Sequence, residues 1–174
     1  MISPTFTLQL MTTTMIFVYD IEHNLVKCQA LLDTCATANF ISERLAKYLK
    51  LPISTCMLSI GTINSMNVMT KGFFVSSFDQ YTTMSTRNLV PPDLFQRDSV
   101  KIPHNVKLAD SEFYLSCPVD VLIDMGTTLS LFLSGQINLS RGDNLYLQKT
   151  SLSWIVRGRD GSSSCSKNAI CIVT

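Results

Sequence analysis

One stretch constrains this chain more than any other: Cys28-Gln29-Ala30-Leu31-Leu32-Asp33-Thr34-Cys35-Ala36-Thr37-Ala38-Asn39-Phe40-Ile41. An apolar run stops abruptly at a carboxylate, small and hydroxyl residues follow, and a segment with helical periodicity begins. Leu25 to Leu32 reads as the returning strand of a hairpin whose first arm is the strand expected over residues 7–19, a segment rich in β-branched and aromatic types. Asp20-Ile-Glu-His-Asn24 is the turn between them. Asp33 is thereby placed at a strand end, in a tight turn. From Asn39 onward Phe40, Ile41, Leu45, Ala46 and Leu49 fall at helical spacing, with Ser42, Glu43, Arg44, Lys47 and Lys50 on the other face. Thr37 or Asn39 is the expected N-cap, and Pro52 closes the helix.

Downstream, residues 56–62 and 66–78 read as two strands around Gly61-Thr62-Ile63-Asn64-Ser65. One further strand is expected between Phe78 and Val90. Pro118 to Asp124 is a second apolar strand ending in an acid, and a short helical or turn stretch follows over Thr127–Phe132. Residues 135–139 and 144–149 are strands joined at Ser140-Arg141-Gly142-Asp143, which reads as a plain β-turn. Leu152 to Val156 is the last strand. Asp20 and Asp110 read as turn residues, and Trp154 as a core or dimer-contact residue. The length of 174 residues favours one domain, over residues 1–160, and residues 161–174 read as a flexible tail.

Composition removes several function classes. A net charge of +1 gives no reason to expect nucleic acid or an anionic membrane as partner. No apolar run approaches the roughly 18 residues of a membrane span, and the N-terminus lacks the basic and apolar regions of a signal peptide. A cytoplasmic location is the expectation. The cysteines at 28, 35, 56, 117, 165 and 171 form no Cys-x-x-Cys pair and are accompanied only by His23 and His104. A zinc site is therefore poorly supported, and no metal or cofactor is expected. Mostly buried thiols are the simplest reading of the cysteines.

The Cys28–Thr34 and Asn39–Ala46 segments resemble the active-site strand and helix of the aspartic peptidase domain of Pao/BEL-type retrotransposon polyproteins, in the retropepsin-like superfamily. Further motifs extend the resemblance to about residues 10–160: Lys107-Leu-Ala-Asp110, Phe113, Pro118-Val-Asp120-Val-Leu-Ile123, Gly135-Gln136-Ile137, Leu147-Gln148-Lys149-Thr150 and Leu152-Ser-Trp154-Ile155-Val156-Arg-Gly158. It implies a mostly β, closed-barrel fold with one or two short helices. It also implies a homodimer in which each copy gives one aspartate to a shared site that hydrolyses a peptide or polyprotein. On that carry-over Asp33 is catalytic and Thr34 braces the two active-site loops against each other. Cys35 and Ala36 line the substrate, and Gly61, Thr62 and Ile63 belong to a flap above it.

Two positions depart from the family pattern. Cys35 stands where glycine follows Asp-Thr, and Asp124 stands where glycine ends the Val-Leu-Ile run, so Asp124 is not read as a second catalytic acid. Glycine serves where backbones pass closely or φ is positive. The departure at Cys35 leaves open a working peptidase and an inactive pseudo-peptidase or dimerisation module of the same fold. A nucleophilic or redox role for Cys35 lacks any sequence-adjacent histidine or basic residue that would lower its pKa.

Overall fold

A computed structural model describes residues 9–61, 67–75, 81–84, 89–91, 95–139 and 144–159. Residues 62–65, where the sequence leads one to expect a flap, the expected turn at 140–143 and the expected tail at 161–174 lie outside the described residues.

The chain is mostly β, as its sequence implies. In order, the elements are β1 (Gln9–Leu10), β2 (Thr13–Tyr19), β3 (Leu25–Leu32), β4 (Asn39–Ser42), α1 (Glu43–Tyr48), β5 (Ile53–Gly61), β6 (Asn67–Val75), β7 (Tyr81–Met84) and β8 (Leu89–Val90). A single 3-10 turn, Arg97–Ser99, precedes β9 (Cys117–Pro118), β10 (Val121–Ile123), α2 (Met125–Leu131), β11 (Phe132–Asn138), β12 (Leu145–Thr150) and β13 (Ser153–Arg159). A seven-stranded sheet has the order β2-β3-β10-β4-β7-β6-β5, a four-stranded sheet the order β1-β13-β12-β11, and β8 pairs with β9.

The larger sheet explains the apolar runs. β10 lies between β3 and β4, parallel to the first (Leu32 opposite Ile123) and antiparallel to the second (Leu122 opposite Phe40). Its three residues are all buried, as is β3 from Cys28 to Leu32. Strands covered on both faces need not alternate apolar with polar. One face presents Cys28, Ala30, Leu32, Val121 and Ile123 to Leu45 and Ala46 of α1, to Leu49 at its C-cap and to Ile155 of β13. The opposite face packs Leu31 and Leu122 with Ala36, Phe40, Val90 and Val119. A third cluster, built on Phe95, Phe113, Leu147 and Val156, fills the far side of the smaller sheet.

The helix expected from Asn39 starts later. Asn39–Ser42 is strand, and Ser42, rather than Thr37 or Asn39, is the N-cap, its hydroxyl accepting from the Leu45 amide at 3.1 Å. Phe40 and Ile41 are both buried because β4 is covered on both faces, which imitates the start of an apolar helical stripe. The first arm of the hairpin is also shorter than residues 7–19, with a break at Met11–Thr12 between β1 and β2.

In the smaller sheet, β11 carries a bulge between Phe132 and Gln136. Gln148 fills it, its amide donating to the carbonyls of Leu133 (2.9 Å) and Gly135 (3.2 Å), while Gly135 takes φ +137°. The Gly-Gln-Ile and Leu-Gln-Lys motifs thus have a local structural use. Gly158, at φ +125°, passes so close to the Asn144 carbonyl that a β-carbon has no room.

Asp110 is more than a turn residue. Its Oδ1 accepts from the Glu112 amide at 2.9 Å, as a turn aspartate does, but the side chain is buried. Its Oδ2 accepts from Thr13 Oγ1 (2.8 Å) and Gln29 Nε2 (3.1 Å), joining the 107–110 segment to β2 and β3. Beside it the Met15 amide donates to the Ala109 carbonyl, and the Ala109 amide to the Trp154 carbonyl. The Asp110→Ala variant strands two buried donors, so it is expected to lose about 2–3 kcal/mol of stability in urea titrations. Loss below about 0.5 kcal/mol would show that the network is dispensable.

Candidate functional site

The site begins where β3 ends. The Asp33 amide continues the parallel ladder by donating to the Ile123 carbonyl at 3.1 Å, and the chain then leaves the sheet. The Asp33 side chain is partly exposed, and its Oδ1 accepts from the Cys35 amide at 2.8 Å, closing a tight turn of the Asx kind. Thr34 and Cys35 are exposed at the crown, while Ala36 is fully buried beneath it. Asp33, Thr34, Cys35 and Ala36 therefore sit together in one turn. Gly61 ends β5 opposite Asn67, and Thr62 and Ile63 lie outside the described residues.

This turn is tied to the segment that follows β10. The Met125 amide donates to the Ala36 carbonyl (2.8 Å), and the Asp124 amide to Asn39 Oδ1 (2.9 Å). Both ends of the turn are thus held by residues far away in sequence. Ser42 and the Gln29 backbone clasp the other side of β10: the Ser42 amide donates to the Asp120 carbonyl, and the Asp120 amide to the Gln29 carbonyl.

The two departures from the family pattern are compatible with this backbone. Cys35 is not among the positive-φ residues, which besides two glycines are His23, Lys50 and Ser153 among those described. No left-handed strain arises at Cys35, which is exposed. Asp124 takes an extended conformation (φ −61°, ψ 166°) as N-cap of α2. Its carboxylate accepts from the Thr127 amide (3.1 Å) and the Thr127 hydroxyl (3.0 Å). The Thr127 amide bond, helped by further bonds and opposed by partial burial, holds this carboxyl below the usual carboxylate value of 3.8.

Two further features were not legible in the sequence. Asp120, largely buried, accepts from Arg44 Nη2 at 2.6 Å, which pins α1 to the strand leading into Asp124. Burial, with the Asp120 charge second, pushes the Cys28 thiol up to about 12. Among the described residues no group of three or more His, Cys, Asp or Glu converges as a metal ion would require. No helix among them is long and apolar enough to cross a membrane. No known protein family, curated protein or solved structure matches this chain.

Two predictions follow from this geometry. Because Asp124 titrates lower folded than unfolded, its cap contributes fully above about 3.8 and is lost as pH falls through the lower folded value. The Asp124→Ala variant should thus lose about 1 kcal/mol at neutral pH, with the gap to wild type closing in acid. Urea midpoints between pH 7 and 2 measure this, and a gap independent of pH would refute an ionised cap. For the thiols, an alkylating reagent should modify exposed Cys35 in the native chain and leave buried, high-pKa Cys28 untouched until unfolding. Peptide mapping reads the order of modification.

Proposed function

We propose that this chain is a retropepsin-like aspartic endopeptidase domain of a Pao/BEL-type retroelement polyprotein, active as a homodimer. The observation that supports it best is the presentation of Asp33. A buried strand delivers this carboxylate to a tight turn, anchors one of its oxygens on the Cys35 amide, and leaves the side chain partly exposed. The closed barrel and the flap role of Gly61, Thr62 and Ile63 belong to this proposal, as does Thr34 bracing the turn of the second copy.

The chemistry needs two such carboxylates. Held close together they cannot both ionise cheaply, so they share a proton. The ionised one takes a proton from a water that attacks the peptide carbonyl. The protonated one gives its proton toward the carbonyl oxygen, producing a neutral tetrahedral diol. Its collapse passes a proton to the departing amine and breaks the C–N bond. No metal or cofactor takes part in this scheme, and the partner is a peptide or polyprotein segment.

A second reading, an inactive dimerisation module with the same fold, is favoured by Cys35. Its side chain stands at the exposed crown where two turns and a water would have to meet.

Hydrolysis of a broad peptide library by the full chain, between mildly acid and neutral pH, separates these readings. A peptidase loses at least about a thousandfold of its rate in the Asp33→Asn variant, which keeps the shape and removes the acid–base pair. Cleavage only by Cys35→Gly would establish a sound site silenced by one side chain. Folded dimers of wild type and Cys35→Gly that both leave every peptide intact would sink the peptidase reading.

A further inference from the structure

We propose that Thr128 is a positioning residue for Asp33: from α2 its buried hydroxyl fixes the carbonyl to which the Asp33 amide is bonded. The consequence for catalysis rests on the reading of Asp33 as one half of an acid pair. The grip on the turn itself stands on separate observations.

Thr128 stands apart from the other hydroxyls of α2, Thr127 and Ser130, which are exposed. The Thr127 hydroxyl donates to the cap residue Asp124, and the Ser130 hydroxyl to the Thr127 carbonyl at 2.7 Å. Both stay within the helix and its cap, as short polar side chains on helices commonly do. Thr128 is fully buried. Its amide closes the helix by donating to the Asp124 carbonyl at 2.8 Å. Its hydroxyl reaches back past the cap and donates to the Ile123 carbonyl at 3.1 Å. A buried hydroxyl is costly unless bonded, and an apolar residue would fill this place without needing a partner.

Ile123 is the last residue of β10, and its carbonyl also accepts from the Asp33 amide, at 3.1 Å. A carbonyl oxygen has room for two donors, and here they come from the strand that carries the acid and from α2. The Asp33 amide makes the last ladder bond before the chain leaves the sheet, so the orientation of this one carbonyl sets where the turn starts. The other ties from the same side, the Asp124 amide to Asn39 and the Met125 amide to Ala36, hold the turn beyond Cys35. Thr128 acts at its entry. Without the hydroxyl the Ile123 carbonyl keeps its bond to Asp33 and loses the second anchor that holds it in line. An acid that must meet a second carboxylate and a water within hydrogen-bond reach loses rate when its placement loosens.

The test is native-state amide exchange, read by NMR, together with peptide hydrolysis, on the full chain as wild type, Thr128→Val and Thr128→Ser. Valine keeps the shape and removes the hydroxyl, and serine keeps the hydroxyl. Thr128→Ala takes the place of Thr128→Val if the latter does not fold. In Thr128→Val the Asp33 amide is expected to exchange about tenfold faster relative to the β12 amides than in wild type, and Thr128→Ser to restore the ratio. A threonine that only stabilises the fold would speed both sets of amides equally. In hydrolysis kcat is expected to fall about tenfold in Thr128→Val with KM unchanged, and to recover in Thr128→Ser. An unchanged exchange ratio overturns the proposal, as does a faster Asp33 amide that leaves kcat intact. A serine variant that behaves as the valine variant does overturns it too. A wild type that cleaves nothing defeats the peptidase, and the exchange ratio still upholds or overturns the grip of Thr128 on the turn.

Discussion

The insertion of β10 between β3 and β4 is the constraint on which the rest of this site depends. β3 and β4 are consecutive in the chain, yet they do not pair with each other; each bonds to β10, some eighty to ninety residues downstream. The turn that carries Asp33 therefore cannot be completed by local sequence. Its entry bond goes to Ile123, and its later bonds come from Asp124 and Met125. Closing so long a loop costs entropy before any contact repays it, so the turn acquires its shape only when the sheet does. Asp33 is positioned by the fold as a whole rather than by a local motif.

Gln29 extends that dependence into the polar interior. It lies four residues before Asp33 and is held by two buried acids: its side chain by Asp110, and its backbone on both sides by Asp120, through the Asp120 amide (2.9 Å) and Oδ2 (3.4 Å). Asp120 has Arg44 as its cationic partner, and Asp110 is held by neutral donors. Such a buried network favours one arrangement, because unpairing the bonds it makes in low dielectric is expensive. Sliding β3 by one residue would break these bonds and also swap its two covered faces. The register that brings Asp33 level with Asp124 is thus specified twice, by apolar packing and by polar bonding.

What the sequence revealed follows from the range of the interactions. The β3 strand, the β5–β6 pair and β11 to β13 were readable because composition and turn residues carry local signals. The start of α1 was misread because Phe40 and Ile41 are apolar for a reason outside their own segment, the covering of β4 on both faces. Asp110 looked like a turn residue because its decisive partners, Thr13 and Gln29, are remote in sequence. The surrounding Lys107, Ser111 and Glu112 give no local sign that this acid is buried. For the site, the strand end at Asp33 was legible, whereas the bonds from Asn39 and Met125 were not.

The two replaced glycines bear on the chemistry in opposite ways. At Cys35 the backbone does not need glycine's freedom, so what matters there is space where two turns would meet. At position 124 the aspartate has a use of its own as a helix cap. Asp33 and Asp124 directly follow Leu32 and Ile123, the last paired residues of β3 and β10, which raises the question of whether one chain could hold both acids. A proton-sharing pair requires one member to be protonated near the working pH. Asp124 is bonded to Thr127 in a way that favours its ionised form, and its oxygens are directed at α2. It is therefore a poor keeper of the shared proton. An acid pair built on Asp33 calls for a second carboxylate of the same exposed, turn-anchored kind. Asp20 is anchored in the same way, its Oδ1 accepting from the Glu22 and Asn24 amides, but it sits in the β2–β3 hairpin turn rather than at the end of a buried strand. On the proposed reading the second carboxylate is therefore the Asp33 of another copy.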